Sequence, residues 1–134
     1  MKPFPLQFFC ADEKEYDGDC VEVVVPLWDG LAGILADHSN MIAALQPGEL
    51  KIDTGTEVIE YAVTEGLVEV KDGNVLILAF SAEKPDEIDE KRAQAAIERA
   101  ETRLKHKMSQ LEYRQTQAAL ARAMNRLKVK HRGE

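Results

Sequence analysis

The sequence predicts an α+β protein in which an N-terminal antiparallel β-sandwich is followed by a C-terminal two-helix hairpin. Turn signals recur every few residues as far as Asp72-Gly73-Asn74, and no glycine follows them until Gly133. Short β-branched or alternating segments lie between those turns, whereas the sequence after Pro85 repeats its apolar residues at helical spacing. We therefore predict a sandwich domain over residues 1–84 and a helical domain over residues 85–134.

The first domain contains segments with the length and alternation of strands, separated by turns at the spacing typical of antiparallel sandwiches and barrels. Asp17-Gly18 and Asp29-Gly30 are predicted turns, and Asp72-Gly73-Asn74 is a strong hairpin signal. The predicted strands are 4–11, 20–27, 31–35, 41–45, 49–53, 57–64, 67–71 and 75–80.

The second domain begins where Pro85 interrupts the strand pattern, because proline cannot donate to a sheet ladder. Asp86 is the predicted N-cap of the first helix, with Asp89 in the place of a capping-box acid, and this helix is predicted to run from about residue 87 to about residue 107. Ser109-x-x-Glu112 is a second capping box that starts the second helix. A short connection predicts an αα-hairpin. The predicted apolar stripes are Ala93, Ile97, Ala100, Leu104 and Met108 on the first helix, and Tyr113, Leu120, Met124 and Leu127 on the second.

Three arginines of the first helix are predicted to share one face. At about 100° per residue, Arg92, Arg99 and Arg103 fall within roughly 40° of one another, and roughly 150° from Ile97 in the apolar stripe. A guanidinium group can grip a phosphate through two parallel hydrogen bonds, so this face is a candidate anion site. The pattern by itself leaves a second interpretation open, since exposed basic faces without a ligand are common.

The charge distribution, the cysteines and the hydropathy of the chain limit the kinds of protein that it can be. Residues 1–80 carry 4 basic and 15 acidic side chains, whereas residues 81–134 carry 13 basic and 9 acidic ones, which indicates separate tasks for the two halves. Cys10 and Cys20 form no CxxC motif and have no metal-ligand spacing with the histidines, so we predict two reduced thiols and no metal site. The N-terminus lacks a signal-peptide pattern and no apolar run is long enough to cross a membrane. These features predict a cytosolic protein, or one that is peripheral on the cytosolic side.

Several segments together resemble the epsilon subunits of F-type ATP synthases. Gly30, Gly33, Ile34, Leu35 and His38 match the family's G-E-L-G-I-x-P-G-H loop, although Leu31-Ala32 and Ala36-Asp37 depart from it. Residues 66–70, followed by Asn74-Val75, match a G-x-L-E-V…V pattern. Residues 88–93 match the I/L-D-x-x-R-A motif that is linked in bacillus-type members to ATP binding, and residues 121–127 are similar to the C-terminal helix of that group.

The resemblance implies a non-catalytic subunit of the central stalk in a proton-translocating synthase. Its partners would be the gamma subunit, the ring of c subunits and the beta subunits of the catalytic head, at the cytoplasmic face of the cell membrane. The hairpin would permit ATP hydrolysis when folded and inhibit it when extended. ATP, with or without Mg²⁺, would be a regulatory ligand, and no catalytic cofactor is expected.

The resemblance also assigns residues to two sites. The implied ATP contacts are Glu83, Ile88, Asp89, Arg92, Ala93, Arg99, Arg122 and Arg126, and the implied contact loop for the rotor ring contains Gly30, Leu31, Gly33 and His38.

Other interpretations remain open at this level. Asp89 is equally a helix cap, His38 is most simply a loop residue, and Trp28 is either an exposed contact residue or part of the core. The main functional alternative is a nucleic-acid-binding adaptor that uses the basic hairpin and the tail Lys128–Arg132. Against that alternative, the arginines alternate with Ala and Glu rather than with aromatic residues, and the whole chain is acidic.

Overall fold

A computed structural model describes residues 1–11, 13–106 and 109–132. The chain divides into two compact units, Met1–Glu83 and Lys84–Glu134. The strands of the first unit are β1 (Phe4–Cys10), β2 (Glu13–Cys20), β3 (Glu22–Leu27), β4 (Gly30–Ile34), β5 (Met41–Leu45), β6 (Gly48–Asp53), β7 (Val58–Val63), β8 (Gly66–Lys71), β9 (Asn74–Ala79) and β10 (Ala82–Glu83). The second unit contains a 3-10 helix (Pro85–Glu87), α1 (Glu90–Leu104) and α2 (Gln110–Arg132).

The strands form two five-stranded sheets, so the predicted sandwich and hairpin are confirmed. One sheet has the order β2-β1-β9-β8-β5 and the other the order β10-β7-β6-β3-β4. Among the described residues the strand pairs are antiparallel, except that β1 and β9 run parallel. This one parallel pair is a departure from the purely antiparallel expectation, and it brings the first strand of the unit beside its ninth.

The core lies between the two sheets and is built by alternation along the strands. In β1, for example, Phe4, Leu6 and Phe8 are buried while Pro5 and Gln7 between them are exposed. The Phe8 ring packs edge-to-face on a tyrosine of β7 in the other sheet, with ring centroids 5.0 Å apart. Fully buried members of this core are Leu6, Phe8, Val23, Val25, Ile34, Leu50, Ile52, Val68 and Ile77.

Gly66 shows why one turn of the first sheet requires glycine. It lies opposite Ala79 in the β8–β9 pair. A Cβ atom at this position would collide with the carbonyl oxygen of Leu78, so the close approach of the two backbones excludes any larger residue.

Two strands are missing from the sequence prediction. Residues 13–20, in which Asp17-Gly18 was the predicted turn, form the edge strand β2, where Gly18 lies opposite Leu6 of β1. The short strand β10 pairs with Ala62 and Val63 of β7. The hydrogen bonds of β2 and β10 are made with strands distant in sequence, so local turn signals do not predict these two strands.

The helices of the second unit pack against each other as an antiparallel pair. The ends of the pair are joined by a 2.8 Å contact between His131 Nε2, near the end of α2, and Glu90 Oε1, at the start of α1. Since this contact brings the last turn of α2 to the first turn of α1, the hairpin is folded. The buried residues of the helices are Ala93, Ile97 and Ala100 on α1 and Thr116, Ala123 and Val129 on α2.

The predicted stripe of α1 is buried or half-buried over the described residues, while Met108 lies outside them. The predicted stripe of α2 is wrong in part, because Tyr113 and Met124 are exposed by 44% and 55%. The buried line runs instead through the small residues Thr116 and Ala123, which allow the two helices to approach closely.

Candidate functional site

The start of α1 differs from the prediction by one turn. Asp89, not Asp86, is the N-cap, and its Oδ1 atom accepts a hydrogen bond of 3.1 Å from the Arg92 backbone N–H. The preceding 3-10 helix is closed by Glu87, whose Oε2 atom accepts from the Lys84 backbone N–H at 3.2 Å. This turn forms separately because Ile88, the residue that follows it, has extended backbone angles of φ −81° and ψ 125°.

Ile88 and Ala93 flank this start and are both buried, with exposed fractions of 4% and 0%. Besides packing on α1, α2 contacts the 3-10 helix. Ile88 and Ala93, two of the predicted ATP contacts, are therefore also buried structural residues, and Asp89 likewise serves as the helix cap.

Three arginines of α1 are exposed on the same helix. Arg92, Arg99 and Arg103 are exposed and lie on one helix, seven and four residues apart. A shallow depression of about 470 Å³ follows this face, lined by Ala95, Glu98, Arg99, Thr102 and Arg103. The small Ala95 leaves room beside Arg99 and Arg103, whose guanidinium groups suit an anion such as phosphate, whereas Glu98 brings a carboxylate to the same depression.

The arginines of α2 have a different environment. Arg122 and Arg126 are half-buried rather than exposed, and the Nε atom of Arg126 is buried. Their burial distinguishes them from the exposed arginines of α1, a difference that the sequence pattern does not predict. A guanidinium held partly out of water loses less freedom on contacting a ligand than one on an exposed, mobile side chain.

The contact between His131 and Glu90 sets the register of the two helices. At about 1.5 Å of rise per residue, Arg122 lies at roughly the same height along the hairpin as Arg99, and Arg126 within about one turn of Arg92. Arg99 and Arg122 thus lie at similar heights on the two helices, and Arg92 and Arg126 lie nearer the start of α1 and its cap Asp89. The remaining predicted contact, Glu83, lies in β10 of the sandwich unit, where it pairs with Ala62.

The other predicted site is the segment between β3 and β5. Gly30 begins β4 with φ of +123°, a conformation that glycine adopts without strain, and Leu31 beside it is 65% exposed. Asp37 has φ of +65°, so it takes the left-handed conformation at the position where the family pattern has glycine. His38 Nδ1 lies 2.7 Å from the Ser39 carbonyl oxygen, which makes it a residue of the loop itself.

Trp28 lies in the turn before this segment and is 84% exposed. The structure therefore decides between the two alternatives of the sequence, and places this residue outside the core. With Leu31 it forms an exposed apolar end of the sandwich, and exposed patches of this kind on a folded unit commonly mark contact surfaces.

The cysteines are free thiols, as predicted. Cys10 is half-exposed, whereas Cys20, at the end of β2 opposite Phe4, is fully buried in the sandwich core. Burial, together with the neighbouring carboxylates of Asp19 and Asp53, raises the pKa of the Cys20 thiol to about 12. Such a thiol is a packing residue and a poor nucleophile.

Within the described ranges, no helix is long and apolar enough to cross a membrane. The same residues contain no group of histidine, cysteine or acidic side chains arranged to hold a metal ion.

Comparisons with known proteins bear on both units. The beta-sandwich domain of the ATP synthase delta/epsilon chain matches residues 3–85, and the long alpha-helix domain of the same chain matches residues 86–131. This chain belongs to the ATP synthase delta/epsilon family. Together the two matches cover nearly the whole sequence, and they meet between Pro85 and Asp86.

Similar family members carry the name ATP synthase epsilon chain. That of Ruminiclostridium cellulolyticum is 42% identical over 112 residues, which is 84% of each chain. That of Alkalihalophilus pseudofirmus is 44% identical over 104 residues, or 78% of each chain. The resemblance to epsilon subunits of bacterial F-type synthases, inferred from the motifs, is thereby confirmed.

Solved structures with this fold extend beyond bacteria. A chain in the mitochondrial ATP synthase of Euglena gracilis, in a structure of OSCP, F1 and c-ring, has a TM-score of 0.82 at 24% identity, covering 92% of this chain and 78% of that one. A chain from the central stalk and c-ring structure of Tetrahymena thermophila has a TM-score of 0.69 at 15% identity, covering 94% and 95%. At these identities the likeness supports the fold alone.

Proposed function

We propose that this chain is the epsilon subunit of a bacterial F-type ATP synthase, a non-catalytic part of the central stalk that couples rotation and restrains ATP hydrolysis. Membership of the delta/epsilon family and 42–44% identity to epsilon chains support the first part. For the restraint, we propose that the hairpin inhibits hydrolysis when extended and that bound ATP holds it folded. The arginines that both helices carry at similar heights along the hairpin support this proposal.

The proposed ligand contacts combine charge and backbone groups. Arg92 and Arg99 on α1, with Arg122 and Arg126 on α2, would contact the phosphates, and Asp89, Ile88 and Ala93 would shape the site at the start of α1. Like charges from two helices oppose folding of the hairpin, and a polyphosphate reverses this repulsion into charge-assisted hydrogen bonds. These residues fit an anion, and Mg²⁺ would come with the nucleotide, since the carboxylate of Asp89 already serves as the helix cap.

In this proposal ATP regulates the hairpin because it binds only the folded form and therefore stabilises that form. The stabilisation is RT ln(1 + [ATP]/Kd), or about 2.7 kcal/mol when ATP is ~100-fold above Kd. That is enough to shift a marginally stable two-state element substantially. When ATP falls, the basic helices are released to contact acidic surface on the beta subunits, where they block hydrolysis.

The sandwich would provide the stalk contacts. We propose that the gamma subunit and the c-subunit ring bind this unit, with the loop of Gly30, Leu31, Gly33 and His38 toward the ring. The exposed Leu31 and the neighbouring Trp28 suit an apolar contact. The subunit would therefore be peripheral at the cytoplasmic face of the cell membrane, attached through its partners.

Calorimetry of the isolated chain with ATP tests the ligand site. A charge-assisted hydrogen bond to phosphate contributes about 1.5–3 kcal/mol, so Arg92→Ala or Arg99→Ala should weaken binding about ten-fold or more. Arg114→Ala is the matched control, because Arg114 is an exposed arginine in the other half of α2. Equal affinities for all of these chains would refute the assignment.

The regulatory step needs the assembled enzyme. A fluorophore pair on α2 and on the sandwich should report a separation that falls as ATP rises, in parallel with loss of inhibition. A separation that ignores ATP over the physiological range would exclude nucleotide control, while leaving the stalk assignment intact.

A further inference from the structure

The contact between His131 and Glu90 joins the two ends of the hairpin. His131 lies in the last turn of α2 and Glu90 is the first residue of α1, and their Nε2 and Oε1 atoms are 2.8 Å apart. The two residues are 41 positions apart in sequence, so the contact exists only while α2 is folded back on α1. We call this pair the latch.

The charged groups around His131 decide what protonation does there. The elements that pack near the latch carry four carboxylates, from the 3-10 helix and the start of α1: Asp86, Glu87, Asp89 and Glu90. The basic groups of the same segments and of the last three turns of α2 are Lys84, Lys91, Arg92, Arg122, Arg126, Lys128 and Lys130, and Arg132 follows His131 in the sequence. Two of the carboxylates already accept backbone hydrogen bonds, Glu87 from Lys84 and Asp89 from Arg92. Glu90 is the carboxylate that contacts the imidazole.

We propose that the latch is proton-sensitive, so that closing the hairpin takes up a proton at His131 and acidification strengthens the folded form. A histidine has an ordinary pKa of about 6.5, within the range that a cytosol can cross. Neutral imidazole makes an ordinary hydrogen bond to the carboxylate, whereas imidazolium makes an ion pair with it. The open hairpin has no such pair, and therefore the closed form binds the proton more tightly.

The sign and size of the effect follow from this linkage. The added stabilisation is fully present below the ordinary pKa of a histidine and is lost as the pH rises through the pKa of the closed form. Both side chains are about half exposed, with fractions of 56% and 50%, so solvent screens the pair. Exposed ion pairs change an equilibrium only by about two- to five-fold.

The consequence for regulation rests on the proposed function. Neither latch residue is among the proposed ATP contacts, yet the latch stabilises the folded form to which ATP is proposed to bind. Because ATP is proposed to bind the folded form alone, a larger folded fraction should raise the apparent affinity for ATP as the pH falls. Since the folded hairpin permits hydrolysis, acidification would favour the state that can use ATP to pump protons.

Two measurements on the full chain test the proposal separately. In an NMR titration of the imidazole signals, Glu90→Gln should lower the midpoint of His131 by about 0.3–0.7 pH units, the logarithm of the expected fold-change. His106→Gln is the matched control, because it removes an exposed histidine beyond the far end of α1. It should leave the midpoint of His131 unchanged.

The second measurement is calorimetry with ATP at acid and at slightly alkaline pH. The ratio of the two affinities in the wild type should exceed that in His131→Gln by about two- to five-fold, and the titration of ATP itself cancels in this comparison. An unchanged His131 midpoint in Glu90→Gln overturns the latch. A lowered midpoint with equal affinity ratios overturns its coupling to the nucleotide. If ATP binds at no pH, the proposed ATP site and the coupling both fail, and the NMR titration alone decides the latch.

Discussion

The two units of this chain bury very different side chains. The sandwich encloses Leu, Ile, Val, Phe and Tyr residues that are 0–1% exposed, contributed by both of its sheets. The buried line of the hairpin consists largely of small residues such as Ala93, Ala100 and Ala123, with Ile97 the largest buried side chain of α1. Hydrophobic stabilisation rises with the apolar area buried, so the sandwich is the stable unit and the hairpin the marginal one.

The two units also differ in net charge. The sandwich half of the sequence is strongly acidic, while the helical half is basic and presents arginines on both helices. A marginal unit that also carries like charges opens more readily than a well-packed one, so a bound ligand shifts its conformation more easily. The unit proposed to be regulatory is therefore the one that buries the smaller apolar side chains.

The largest expected effect comes from removing the hairpin. A chain shortened to residues 1–83 should still unfold cooperatively, because its core is complete, but it should lose ATP binding and inhibition entirely. Differential scanning calorimetry and hydrolysis assays with the assembled enzyme measure the two outcomes. Absence of a cooperative transition would show that the sandwich depends on the helices.

A pair of core truncations compares the units directly. Ile77→Ala removes a fully buried side chain of the sandwich and should lower its unfolding free energy by about 2–5 kcal/mol. Ile97→Ala, in the hairpin, should loosen the helices and leave the sandwich transition nearly unchanged. Denaturant titration, followed by NMR of sandwich and hairpin amides, separates the two. Equal effects on the sandwich would mean that both units unfold together.

The pH dependence of the sandwich should contain a contribution from Cys20. Its folded pKa of about 12 lies above the ordinary thiol value, so the folded state retains a proton that the unfolded state loses. Stability from this group is therefore complete below about pH 8.5 and falls by about 1.4 kcal/mol per pH unit above it, until the folded pKa is reached.

Denaturation of the wild type and Cys20→Ala above and below that pH measures this contribution. The variant should lose stability less steeply with rising pH. Cys10→Ala is the control, because Cys10 is half-exposed and should contribute a smaller slope. Parallel pH profiles for the wild type and Cys20→Ala would contradict the buried-thiol account.

The smallest effects come from the helix caps. Asp89→Ala and Ser109→Ala each remove a side-chain acceptor from a helix start, at 3.1 Å and 3.2 Å, and each should cost about 1 kcal/mol of hairpin stability. If Asp89 also contacts ATP, its removal should weaken binding more than that of Ser109. Asp89→Asn keeps the cap and loses the charge. ATP affinities that follow only hairpin stability would leave Asp89 with a capping role alone.

The sequence by itself determined the features that depend on neighbouring residues. β5 runs over Met41–Leu45 as predicted, because it is a short apolar run between local turn signals. The cap of α2 at Ser109 and the buried face of α1 are likewise fixed within a few residues of sequence. The shared face of Arg92 and Arg99 follows from helical periodicity alone.

The tertiary structure decided what depends on distant partners. β2 is a strand because β1 lies beside it, although its own residues resemble a turn. Helix α1 is capped by Asp89 instead of Asp86, after a separate 3-10 helix that α2 contacts. The approach of α2 to α1 selected Thr116 over Tyr113 for burial, and the same packing brought His131 to Glu90. Periodicity predicts which residues share a face, but only the packed partner fixes which part of that face is covered.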